Sequence, residues 1–66
     1  MTKREQAIVV NLQHREREEH GYLAFLQREQ ELAPHDVGLH NAVNAQINRW
    51  STAYRALHET IDIIEA

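Results

Sequence analysis

Apolar residues in the second half of the chain recur at alternating intervals of four and three: Val43, Ile47, Trp50, Tyr54, Leu57, Ile61 and Ile64. That is an unbroken a/d heptad seam, the spacing by which two helices pack side by side with a slight left-handed twist. Asn44, Asn48, Ser51, Arg55, Glu59 and Asp62 fill the opposite face, which should meet water. The same spacing in the first half gives Ile8, Leu12, Arg15, Glu19, Tyr22 and Leu26, and then, a heptad on, Ala33. Here the apolar seam is interrupted midway by Arg15 and Glu19, one turn apart, within the polar run Gln13–His20 that ends at Gly21.

Start and stop signals bound these two patterns. Thr2-Lys3-Arg4-Glu5 has capping-box spacing, in which threonine and glutamate side chains each satisfy an orphan backbone N–H. Nothing then stops a helix before Pro34, whose ring disfavours helical geometry at Ala33. Pro34-His35-Asp36-Val37-Gly38 is the one turn-like cluster. Asp36 and Asn41 both suit the N-cap of a second helix, so its start lies between them and its end near Ile64. The expected organisation is one all-α domain over residues 1–66: helix 1 about 3–33, turn about 34–40, helix 2 about 41–65. Two rods of this length with a short connection fold back as an antiparallel hairpin.

The interrupted seam allows two arrangements. In a simple hairpin register Arg15 and Glu19 lie level with Trp50, Tyr54 and Leu57. Either their side chains snorkel outward while the aromatics fill the gap, or they form a polar layer within a dimeric bundle, bonded to the Tyr54 hydroxyl or the Trp50 N–H. Buried polar groups of this kind fix register and oligomer state more than they add stability. Off the seam, helix 1 also carries Ala7, Val10, Phe25 and Leu32. A helix with two neighbours wants such a wider apolar stripe, so the hairpin is expected to pair into a dimeric four-helix bundle. Val10, Phe25 and Leu32 are also the candidate surface for another protein.

Chain length supports the same expectation. Sixty-six residues must offset an ordering entropy on the order of 100 kcal/mol, and chains this small lean on disulfides, metals or oligomerisation. There is no cysteine, which excludes disulfides and thiolate metal sites. Ten acidic residues against seven basic ones give a net charge of −3, which argues against general nucleic-acid binding. The arginines and Lys3 are spread around both helices rather than clustered. The apolar runs Ala7–Val10 and Tyr22–Leu26 are far short of a membrane span. The first residues carry charge with no apolar core behind them, unlike a signal peptide, so a cytoplasmic location is expected.

Five histidines prompt a search for metal or acid–base chemistry. His14 with Glu18, Glu16 with His20, and His58 with Asp62 have i,i+4 spacing. His58-Glu59-Thr60-Ile61-Asp62 lacks the second histidine of the H-E-x-x-H zinc motif, and no Glu-x-x-His tetrapeptide occurs. Solvated surface histidines account for the pattern, and no metal or cofactor is expected. No phosphate-binding glycine loop, nucleophile elbow or cysteine nucleophile is present, so no catalytic residue is expected either. Self-association should change little between mildly acidic and neutral pH.

A short hairpin opening Met1-Thr2-Lys3 resembles, in outline, the Rop family of plasmid copy-number regulators. The resemblance implies a dimeric four-helix bundle and, in that family, an RNA surface of basic, amide and aromatic groups on the first helix. Lys3 fits such a surface, but Glu16, Glu18 and Glu29 would repel phosphates. The expected function is therefore a non-enzymatic protein–protein interaction module, a small regulator or adaptor that pairs with itself. Nucleic-acid binding, or membership of a larger structural assembly, are the alternatives.

Overall fold

The computed structural model describes residues 1–66, which form two antiparallel helices: α1, Lys3–Leu32, and α2, Val37–Glu65. Thr2 caps α1. Its Oγ1 accepts from the Glu5 N–H at 3.1 Å, and Glu5 Oε1 accepts from the Thr2 N–H at 2.8 Å. Hydrogen bonding from the Thr2 backbone N–H, and next from its side chain, holds the Glu5 carboxyl below the usual carboxylate range. Glu5 therefore favours the helix at neutral pH, and this contribution is lost as acid protonates the carboxylate.

α1 runs unbroken through Gly21, where an added Cβ would meet no atom within 4 Å. Gly21→Ala should therefore stabilise the chain by about 1 kcal/mol, through reduced unfolded-state entropy and better helix propensity. Thermal melting by circular dichroism should show a rise of about 4–8 °C.

The connection is shorter than the expected turn over 34–40, and α2 begins about four residues before position 41. Asp36 is its cap, with Oδ1 accepting from the Leu39 N–H at 3.1 Å. A single capping carboxylate at Asp36 thus lets Val37–His40 add a further turn of helix. His40 closes the connection. Its Nδ1 accepts from the Gln30 amide, and its Nε2–H donates to the Pro34 carbonyl at 3.0 Å. The neutral Nε2–H tautomer satisfies both bonds.

The hairpin is a rod of 48 × 15 × 12 Å with a radius of gyration of 15.0 Å, against about 11 Å for a globule of this length. Its core is thin. Val9, Leu23, Leu26, Val43, Ala53 and Leu57 are the buried apolar residues, and no side chain is wholly enclosed. Leu23, Leu26 and Val43 form the main cluster near the turn, with Leu39, Ala42 and Trp50 packed against it.

The heptad spacing holds, but each helix is rotated from the expected seam. α1 turns Val9, Leu12, Glu16, Glu19, Leu23 and Leu26 toward α2. α2 turns Val43, Gln46, Trp50, Ala53, Leu57 and Ile64 toward α1. Leu12, Glu19, Leu26, Val43, Trp50, Leu57 and Ile64 were expected there. Ile8, Arg15 and Tyr22 were expected there too and are exposed, as are Ile47 and Tyr54, while Ile61 is half-buried. The shift is half of one residue's 100° step, roughly 50°. Two causes favour it. Ala53 and Gln46 are slimmer at the interface than Tyr54 and Ile47, which lets the axes approach. The rotation also brings donors on α2 opposite the α1 carboxylates.

Candidate functional site

The middle of the interface is a polar layer. Gln46, only 3% exposed, donates through Nε2 to the Glu19 carbonyl at 2.9 Å and to Glu19 Oε2 at 3.0 Å. Trp50 donates through Nε1 to Glu16 Oε1 at 3.1 Å. No buried side-chain nitrogen or oxygen lacks a partner, so the interruption of the apolar seam is fully satisfied across the two helices. The layer lies within one hairpin, and its acids are Glu16 and Glu19. Of the two arrangements the sequence allows, Arg15 follows the outward one and is exposed, whereas Glu19 is half-buried and bonded to Gln46; the Tyr54 hydroxyl is not engaged. Glu16 and Gln46 escaped the sequence reading because they lie one position off the apolar seam. The i,i+3 spacing of Glu16 and Glu19 was the available signal.

Two exposed flanks run beside this layer. On one, Ile8, Tyr22 and Phe25 of α1 stand clear of the core. The Tyr22 and Phe25 rings stack with centroids 6.1 Å apart and planes 12° apart. The same flank holds a groove of about 410 Å³ between the helices, floored by Ala53 and Ala56 and edged by Arg15 and Arg49. No hydrogen bond within the hairpin engages either guanidinium, since the groove's carboxylate, Glu19, is held by Gln46.

The other flank carries an aromatic ladder. His20 meets Trp50 at 5.8 Å, Trp50 meets Tyr54 at 5.5 Å, and Tyr54 meets His58 at 4.2 Å between ring centroids. Ile47 extends this strip one turn toward the hairpin connection. The candidate protein-binding residues Val10, Phe25 and Leu32 are all exposed, Leu32 most of all at 77%. They do not form one patch. Phe25 and Leu32 share the stripe with Tyr22, whereas Val10 lies about 22 Å up the helix from Phe25 and toward the other flank. No group of three or more metal-ligating side chains converges anywhere, and no helix is long and apolar enough to cross a membrane.

These features define a class: a two-helix antiparallel hairpin with a satisfied polar layer and two unequal exposed flanks. No family model, no curated protein and no solved structure matches the chain. The likeness to the copy-number regulators therefore rests on the hairpin outline and the opening Met1-Thr2-Lys3.

Proposed function

We propose that the chain is a non-enzymatic protein–protein interaction module that works as a homodimer, two hairpins pairing into a four-helix bundle that docks a further protein as a regulator or adaptor. One observation carries this reading. The hairpin exposes 5179 Å², whereas a compact monomer of its mass exposes roughly 4,300 Å². The excess is close to the ~800 Å² per partner that a stable interface covers. Much of it is apolar, since Ile8, Val10, Tyr22, Phe25, Ile47 and Tyr54 are all at least a third exposed.

Once one flank is covered by a second copy, the aromatic ladder of Trp50, Tyr54 and His58 remains outside, beside Ile47. Trp and Tyr in such a strip supply the large anchoring contacts that protein recognition favours. Sedimentation equilibrium tests the self-pairing. A mass of twice 7.7 kDa at micromolar concentration is expected, and folded monomers at that concentration would refute the reading.

A further inference from the structure

The flank bearing Tyr22 and Phe25 has a pattern of its own. Arg4, Ile8, Asn11, Arg15, Glu18, Tyr22, Phe25, Glu29 and Leu32 alternate by four and three, a second heptad stripe on α1. All but Glu29 are exposed, and Glu29 is half-buried. Lay two such stripes antiparallel, with a two-fold axis between Glu16 and Arg17, and every layer matches. Ile8 meets Phe25 of the second copy. Asn11 meets the Tyr22 hydroxyl, Arg15 meets Glu18, and Arg4 meets Glu29. Leu32 falls over the second copy's N-terminal end, beside Met1.

Competing registers fail this test. A slip of one heptad sets Phe25 against Arg15 or Ile8 against Glu18. A parallel pairing sets Arg15 on Arg15 and Glu18 on Glu18. Like charges and unpaired charges on apolar groups are the usual means by which wrong registers are rejected.

The same flank of α2 repeats the logic. Ala42, Ala45, Arg49, Thr52, Ala56, Glu59 and Ile63 alternate by three and four, and most are small. Antiparallel pairing about the height of Trp50 sets Arg49 on Thr52 and sets Ala45 on Ala56, small side chains that let the helices approach. Trp50 bonds Glu16 and Gln46 bonds Glu19 across the hairpin, so the α1 axis between Glu16 and Arg17 lies level with Trp50. One two-fold axis can therefore serve both pairs of helices. On α1 the stripe lies about 110° around the helix from the face packed on α2, which suits the corner of a four-helix bundle.

From this we propose that a second copy of this chain docks on the Tyr22–Phe25 flank in one antiparallel register, α1 on α1 and α2 on α2. Glu18 of the second copy then enters the groove beside Arg15. This rests on the self-pairing reading above and adds its face and register. The Arg15 guanidinium gains its acceptor, and the bundle gains a central charged layer that specifies alignment.

Charge exchange tests it. Arg15→Glu faces Glu18 with glutamate, and Glu18→Arg faces Arg15 with arginine, twice in each dimer. Each variant alone should self-associate at least about tenfold more weakly than the native chain. An equimolar mixture should recover the native dimer mass, because the mixed pair has opposite charges at both contacts. Both residues are exposed, so circular dichroism should show unchanged helix content. A second arm uses the absence of native cysteine. Ile8→Cys with Phe25→Cys should oxidise to a covalent dimer, and Ile8→Cys with Glu18→Cys should not. If the native chain is dimeric, yet both charge variants keep its affinity and the 8/25 pair stays unlinked, the register is wrong and the self-pairing reading stands. A monomeric native chain overturns both.

Discussion

Leu26→Ala is expected to leave the chain largely unfolded at 25 °C. Leu26 is 6% exposed and sits in the one apolar cluster, with Leu23 and Val43. Removing a buried leucine side chain costs about 2–5 kcal/mol through lost transfer energy and the residual cavity. A core of six buried apolar side chains has little reserve, because domains of this size rarely gain more than about 3–5 kcal/mol from one core. Collapse of the neighbours into the gap offers little relief, since the polar layer begins at Gln46, next to Val43 along the seam. Trp50 reports the outcome. Its indole is held against Glu16 in the folded hairpin, so emission should move to that of a solvated tryptophan as far-UV helicity falls. Val37→Ala, at a position 70% exposed, should change neither signal. Native-like helicity and emission in Leu26→Ala would mean that the stability resides elsewhere, in the contact between copies.

Much of this architecture was legible in the sequence because it depends on local chemistry. The Thr2–Glu5 capping box and the Pro34 stop bound α1 as expected, since both act through adjacent backbone groups. The start of α2 was open between Asp36 and Asn41. Both side chains can cap, and the choice depends on which extra residues can join the helix; Asp36 wins by admitting Val37 to His40. The heptad period was readable, but its phase was not. Ile8 and Val9 are both apolar, as are Tyr22 and Leu23, so the hydrophobic pattern on α1 is nearly indifferent to a half-step rotation. On α2 the pattern favours Ile47 and Tyr54 over Gln46 and Ala53, and the structure takes the less apolar pair. Close approach over Ala53 and the bonds of Gln46 to Glu19 are properties of two helices together, which no single-helix period contains. The displaced apolar residues did not vanish; they became the exposed flanks.

That choice of phase makes the polar layer the place where stability and alignment should separate most clearly. Glu16, Glu19, Gln46 and Trp50 are satisfied as a set, so changing one member and changing several should have opposite signs. Gln46→Leu alone removes both donors to Glu19 and leaves a half-buried carboxylate facing a hydrocarbon, a cost of about 1–3 kcal/mol. Replacing Glu16, Glu19 and Gln46 together with leucine removes the acceptors as well as the donor and extends the apolar seam through the middle of the rod. Buried polar sets exchanged for packed apolar residues are commonly neutral or stabilising by about 1–4 kcal/mol. The Trp50 N–H is then the one orphan; it lies at the half-buried edge of the interface, where water can reach it. The triple variant should therefore melt above the native chain, by about 4–8 °C for each kcal/mol gained, while Gln46→Leu melts below it. Alignment should move the other way. Without the layer, leucines in successive turns are interchangeable, and sedimentation of the triple variant should show more than one assembly state where the native chain shows one. If the triple variant melts below Gln46→Leu, the layer is a source of stability in its own right, and its role as an alignment device falls.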